Sequence, residues 1–178
     1  LGLLSDSAES ERLARSVPDS GGVVMVPAFV GLGAPYWDPD ARGAVLGITR
    51  GTAKAHFARA AIESIAYQSR DLLVAMERDS GAAMPFIKAD GGASANSFLM
   101  QFQADVLDRP VILPEVGEVT ALGAAYLAGL KVGYWSGLDE VERNWKRKRE
   151  FAPEMAAPAR ERQLERWAKA VEVTRLFK

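Results

Sequence analysis

The stretch Pro85-Phe-Ile-Lys-Ala-Asp90-Gly-Gly-Ala-Ser-Ala-Asn96, continued through Phe98-Leu99-Met-Gln-Phe102 to Pro110-Val-Ile-Leu-Pro114, decides the fold. Residues 85–89 read as a short strand that stops at two glycines. From about Asn96 to Leu107, Phe98, Leu99, Phe102 and Val106 recur at helical spacing and face one side. Val111-Ile112-Leu113, bounded by prolines at 110 and 114, reads as a second strand. Strand, glycine turn, helix and strand form the unit from which α/β sheets with parallel strands and crossover helices are built.

The same alternation continues outward. Gly43-Ala-Val-Leu-Gly-Ile48 is a strand candidate, followed by a helix from about Lys54 to Asp79 with Thr52 as N-cap and Gly81 as breaker. Ala58, Ile62, Ile65, Leu72, Leu73 and Met76 mark that helix's apolar face. Downstream, Glu118 to Leu130 predicts a helix whose small residues, Ala121, Gly123, Ala124, Ala125 and Ala128, let a neighbouring backbone come close. Residues 43 to 131 therefore predict an α/β fold.

Toward the N-terminus, Val23 to Val26 reads as a buried strand. Residues 27–39, with three prolines and two glycines, form an ordered loop whose aromatic residues call for burial. Residues 1–22, with Leu3, Leu4, Leu13 and Val17 at helical spacing, read as a connector helix ending in the turn Pro18 to Gly22. Toward the C-terminus, Leu138 to Trp145 predicts a short helix, Lys146-Arg-Lys-Arg-Glu150 a solvated helix end, and Ala159 to Leu176 a terminal helix. The expected organisation is a connector over 1–22, a domain over 23–151 and a helical tail over 152–178.

Composition narrows the function classes. The chain has 178 residues, 48% of them hydrophobic, enough to bury a core without a disulfide or metal staple. The absence of cysteine removes thiolate zinc sites and cysteine nucleophiles and agrees with a reducing compartment. With 22 basic against 23 acidic residues, nothing electrostatic points to nucleic acid or an anionic membrane. No apolar run approaches the roughly 18 residues of a membrane span, and the first residues lack the features of a secretory signal, so the expected location is cytoplasmic. Leucine at position 1 is compatible with removed residues or with a piece of something longer.

Chemistry concentrates at Asp90-Gly91-Gly92. A strand ending in two glycines and passing into a helix brings bare N–H groups close to a ligand and aims a positive helix end at it, which suits a phosphate or nucleotide. Ordinary tight turns use the same pair, and Asn96 can either meet a ligand or satisfy backbone donors of its own helix. His56 is the only histidine, so no histidine-based triad or metal cluster can be assembled in this chain, and a structural role is expected. Asp38 with Asp40, and Glu115 with Glu118, occupy loop and helix-start positions that favour carboxylates anyway. Neither of the common glycine-rich phosphate loops is present.

The run Gly43-Ala-Val-Leu-Gly-Ile48, then His56-Phe57 and Ala60-Ala-Ile-Glu63, resembles the C-terminal signature of the FGGY-type carbohydrate kinases. Gly31-Leu-Gly-Ala-Pro-Tyr-Trp-Asp-Pro39, Glu63-Ser-Ile-Ala-Tyr-Gln68, Phe98-Leu-Met-Gln-Phe-Gln103 and Glu118 to Gly129 resemble the glycerol-phosphorylating branch more than the pentulose-phosphorylating one. The resemblance covers about residues 23 to 151. It implies an actin-like ATPase (ribonuclease H-like) fold, of which this chain is the later part of the second, nucleotide-facing domain, lacking that domain's first two strands. It implies ATP, Mg²⁺ and glycerol in an interdomain cleft, with the general base upstream and no catalytic residue in this chain.

Residue for residue, the resemblance puts Gly91, Gly92 and Asn96 against the nucleotide. Relatives often carry a second Asn where this chain has Ser97. The helix from Glu118 is expected to pack beneath the site, with Thr120 a further candidate hydroxyl. A homo-oligomer is expected, with the Tyr36-Trp37 loop available for a domain or subunit contact. The chain alone is expected to be inactive and to bind ADP weakly, if at all, with apolar surface left uncovered, as a truncated or proteolysed product or one completed by a neighbouring copy. A pentulose or tetritol kinase, or an actin-like module that uses nucleotide as a switch, are the alternatives.

Overall fold

The computed structural model describes residue 4 and residues 6–177. Leu3, which was assigned to the connector helix, lies outside the described residues. Helix α1 (Glu9–Arg15) is followed by strands β1 (Val24–Val26) and β2 (Ala44–Leu46) and the long helix α2 (Lys54–Ser80). Then come β3 (Ile87–Lys88), a 3₁₀ turn (Gly92–Ala95), α3 (Ser97–Leu107) and β4 (Val111–Pro114). The chain finishes with α4 (Val119–Lys131), α5 (Leu138–Arg143), β5 (Arg147–Phe151) and α6 (Ala157–Leu176).

The fold is mixed α/β, but its strands are less parallel than the alternation suggests. Strand β3 pairs with β4 in parallel, with α3 as the crossover. Strand β2 does not join them; it pairs antiparallel with β1, placing Val24 opposite Leu46 and Val26 opposite Ala44. The second correction is β5. Residues 147–151 are not a helix end but a strand antiparallel to β4, because the free edge of β4 carries backbone groups that need partners. Four charged residues on that edge strand keep it from recruiting further strands.

Helix α2 is the spine of the core, packed by α1, α3 and β1. Tyr67 on α2 stacks on Trp167 of α6 with centroids 5.2 Å apart and meets Phe102 of α3 edge-on at 5.5 Å. Asp71 ties three segments together, since one carboxylate oxygen accepts from Tyr36 Oη and from Trp167 Nε1, both at 2.6 Å. Thr52 is not the N-cap. Its hydroxyl accepts from Thr49 N–H within the preceding turn (2.9 Å), while Ala53 takes the cap position and donates its N–H to His56 Nδ1 (2.9 Å). His56 is thereby committed to its own helix start.

Of the six apolar positions assigned to α2, Ala58, Ile62 and Leu73 are buried, whereas Ile65, Leu72 and Met76 are exposed. Helix α4 buries no residue at all. Uncovered apolar surface is thus present on both helices. The loop over 27–39 is ordered, since Leu32 and Asp38 exchange backbone hydrogen bonds of 2.8 and 2.9 Å. Its aromatics do not all find burial, however: Tyr36 is half-buried, but Phe29 is 81% and Trp37 76% exposed. Closing the loop on itself leaves these two rings no core to reach.

Candidate nucleotide site

Strand β3 delivers the chain to the glycine turn. Ile87 and Ala89 donate to Pro110 O and Ile112 O (2.9 and 3.0 Å), which fixes where the strand ends. Gly91 then takes φ +82°, a conformation that L side chains rarely adopt. Gly92 opens the 3₁₀ turn, closed by Ser94 N–H and Oγ on Gly91 O (3.0 and 2.7 Å) and by Asn96 N–H on Ala93 O (3.1 Å). The first N–H groups of such a turn have no partner inside it.

Asn96 is the N-cap of α3. Its Oδ1 accepts from Leu99 N–H at 2.9 Å. That is the structural role open to it from sequence, yet it uses only the oxygen, and Asn96 also lines a cleft of about 470 Å³. The walls of this cleft include Gly92, Ala93, Ala95, Ile62, Ile65 and Leu99, with Glu11 at its margin. Concave, mostly apolar surface with a few polar groups is the common form of a small-molecule site. Gly91 borders the cleft's turn without lining the cleft itself.

Gly92 is the informative residue. A Cβ added there meets no atom of the described residues within 4 Å, and its φ is not in the left-handed region. Gly47 is the opposite case, since a Cβ there lands 2.0 Å from Gly22 O at φ +81°.

The α3 N-terminus does not stand open for an anion, as the strand-to-helix pattern suggests. The Glu11 carboxylate of α1 occupies it, accepting from Ser97 N–H (3.2 Å), Ser97 Oγ (2.7 Å) and Phe98 N–H (3.2 Å). Arg15 supports that carboxylate through Nε at 2.9 Å and reaches Ser97 Oγ at 3.2 Å. Burial acts to raise the Glu11 pKa, but the bonds from Ser97 and Arg15 outweigh it and hold the group below the ordinary carboxylate value. Glu11 is the residue that sequence reasoning missed. It sits in a stretch legible only as a connector, and its contact spans 86 residues of chain.

The remaining candidates are placed plainly. Asp38 is buried and caps its own loop, accepting from Asp40 and Ala41 N–H (both 3.2 Å) and pairing with Arg175. Glu115 and Glu118 are exposed, and Thr120 is exposed and lines no part of the cleft. Helix α4 does not pack beneath the site. No described backbone comes within 4 Å of a Cβ on Gly123; at Gly129 it is the indole of Trp135 that would collide with a Cβ, and that ring meets Tyr126 edge-on at 5.0 Å. Among the described residues no group of three or more His, Asp or Glu side chains can hold a metal ion.

Within an α/β domain, the glycine turn thus opens on a mostly apolar cleft at the start of a helix. The model of the FGGY family of carbohydrate kinases, C-terminal domain, matches residues 2–132. The chain belongs to this family and has the actin-like ATPase fold of its C-terminal domain. It is 59% identical over 172 residues to the glycerol kinase of Janthinobacterium sp. (strain Marseille) and 60% identical over 171 residues to glycerol kinase 1 of Clostridium tetani. These alignments cover 97% and 96% of this chain but 34% of each relative. The crystal structure of Plasmodium falciparum glycerol kinase with ADP superposes with a TM-score of 0.88 at 36% identity, covering 97% of this chain and 34% of that one. The chain thus spans about one third of the length of the relatives it matches.

Proposed function

We propose that this chain forms the nucleotide-binding wall of an ATP-dependent glycerol kinase, and that a nucleoside rests on Gly91, Gly92 and Asn96. The observation that carries the proposal is Gly92, a cleft-lining glycine with no neighbour that demands it. Other glycines, among them Gly33 and Gly123, are as uncrowded; what supports the reading is that Gly92 lines the same cleft as Asn96, where a bare backbone lets a ligand approach closely. The similarity to glycerol kinases, and the presence of ADP in the Plasmodium structure, support the choice of nucleotide and of glycerol.

The reaction is transfer of the ATP γ-phosphoryl group to a primary hydroxyl of glycerol. The new bond forms from the hydroxyl oxygen to phosphorus, the bond to the ADP oxygen breaks, and the hydroxyl proton passes to a base. Such transfer depends mainly on positioning and charge stabilisation. This chain supplies positioning of the nucleoside; the base and the glycerol contacts are assigned to the rest of the enzyme. Mg²⁺, implied by the family, would supply charge neutralisation to the transferring group, and no step is assigned to this chain's side chains. No helix among the described residues is long and apolar enough to cross a membrane. A cytoplasmic, self-associating enzyme is part of the same proposal.

In the intact kinase, Asn96→Asp should raise the Michaelis constant for ATP more than that for glycerol, because it sets a carboxylate against the nucleoside while keeping an oxygen to cap α3. Unchanged ATP kinetics would return Asn96 to capping alone. Glycerol-dependent ADP release by the 178-residue chain by itself would overturn the division of labour.

A further inference from the structure

The carboxylate of Glu11 is held by more groups than a helix-to-helix tether needs. Oε1 accepts from Ser97 Oγ (2.7 Å), Phe98 N–H (3.2 Å) and Arg15 Nε (2.9 Å), and Oε2 accepts from Ser97 N–H (3.2 Å). With Asn96 Oδ1 on Leu99 N–H, the N–H groups of three consecutive residues opening α3 are taken by side chains, two of them by a charged one. Those donors are where an external phosphate would bind at a helix start. Glu11 also lines the cleft that contains Gly92 and Asn96.

We infer that Glu11 is a specificity-determining residue: a built-in anion that fills the phosphate seat of α3 and so turns this end of the cleft to the uncharged, nucleoside end of a nucleotide. The inference rests on the proposal that a nucleotide lies on Gly92 and Asn96. Two effects act together. The carboxylate removes the donors that would attract a phosphate, and its charge repels one that approaches. Arg15 does not reverse this, because its guanidinium is bound to Glu11 itself and lies 5.6 Å over the Phe98 ring. Ser7 and Ser10 also line the cleft, but most of its wall, Ile62, Ile65, Ala93, Ala95 and Leu99, is apolar and suits a flat base. The orientation of the ligand follows from a residue that never has to touch the reacting phosphates.

The test is an amide-resolved NMR titration of the ¹⁵N-labelled chain with pyrophosphate and, separately, with ADP. In the unaltered chain pyrophosphate should leave the Ser97 and Phe98 amides in place, while ADP shifts Gly92 and Asn96. In Glu11→Ala pyrophosphate should shift Ser97 and Phe98 in a saturable way, at least about tenfold more tightly than in the unaltered chain. Because removing Glu11 also frees the Arg15 guanidinium beside Ser97, the titration is repeated in an Arg15→Gln background, where a purely structural tether predicts no gain of anion binding at the two amides.

Should Glu11→Ala fail to give a folded spectrum, Glu11→Gln decides. It keeps the side-chain volume and an acceptor oxygen and removes the charge, and a pyrophosphate shift at the same two amides supports the inference. Absence of that shift in the folded variant, or pyrophosphate binding at Ser97 and Phe98 in the unaltered chain, overturns it. If ADP leaves Gly92 and Asn96 unmoved, the nucleotide proposal falls separately, and the pyrophosphate arm still reports on Glu11.

Discussion

Replacing Gly92 by alanine separates what the fold needs from what a ligand needs. An added Cβ has no atom of the described residues within 4 Å and requires no left-handed backbone, so the folded state should accept it. Because the unfolded chain has more conformational freedom to lose at glycine than at alanine, Gly92→Ala should even stabilise by about 0.4–1 kcal/mol. A nucleotide pressed onto the Gly92 backbone meets the new methyl directly. Overpacking of that kind costs about 1–3 kcal/mol, which is about 5- to 150-fold in Kd. The assay pairs thermal unfolding of the chain with ADP titration followed at the Asn96 amide. Gly47→Ala is the control: its Cβ lies 2.0 Å from Gly22 O at φ +81°, so it should lower stability sharply through the backbone alone. ADP affinity in Gly92→Ala equal to the unaltered chain, or a loss of stability like that of Gly47→Ala, would refute the reasoning.

Three further outcomes are expected. Asp71→Ala strands two donors, Tyr36 Oη and Trp167 Nε1, and should lower the unfolding free energy by about 3–6 kcal/mol in urea titration, at about 1.5–3 kcal/mol for each bond to the charged group; Asp71→Asn, which keeps an oxygen for both donors, should cost far less, and equal costs would contradict the junction. The two inward glutamates should respond oppositely to pH. Burial holds the Glu63 pKa above its ordinary value of 4.5 despite the Arg59 pair at 2.8 Å, so its folded form favours the proton and its contribution to stability is lost as pH rises through the raised pKa. Glu11 is held below 4.5, so its contribution is complete above that value and is lost as pH falls through the lowered one. Subtracting the Glu63→Gln and Glu11→Gln unfolding curves from that of the unaltered chain should therefore give slopes of opposite sign. Finally, adenosine and ADP should bind the isolated chain within about threefold of each other, under about 0.7 kcal/mol, since no Lys or Arg is among the described residues that line the cleft; a strong preference for ADP in calorimetry would count against the assignment.

Much of the architecture is legible in the sequence because it is local. Of Phe98, Leu99, Phe102 and Val106, read as one side of α3, the last three are buried and Phe98 is partly buried, but α3 also buries Met100, Gln103 and Asp105, so the helix is covered beyond the side its period marks. The glycine turn at 91–92 is visible because the left-handed backbone at Gly91 restricts the residue that can stand there. What is not legible is set by distant partners. Residues 147–151 carry a run of charge that suits a solvated helix end, and only the open edge of β4 makes them a strand. Half of the apolar face of α2 looks like core from its period and is exposed, because periodicity states which residues share a side and not what lies against it. Thr52 has the chemistry of an N-cap, but its hydroxyl is taken by Thr49 one turn earlier, and His56 closes the helix start from the other side.

The clearest lesson of the site concerns the helix start itself. A strand that turns through glycines into a helix suggests phosphate binding, since the helix presents unpaired N–H groups and a positive end. Here both attractions are consumed from within: Asn96 takes the Leu99 donor, and Glu11 takes those of Ser97 and Phe98 and supplies the negative charge. What survives of the pattern is the bare backbone of Gly92, the amide nitrogen of Asn96 and a mostly apolar wall, the surface on which the proposed nucleoside would rest. The Glu11 carboxylate comes from the helix whose sequence reads only as a connector, so the chemistry of the turn is decided outside the motif that announces it.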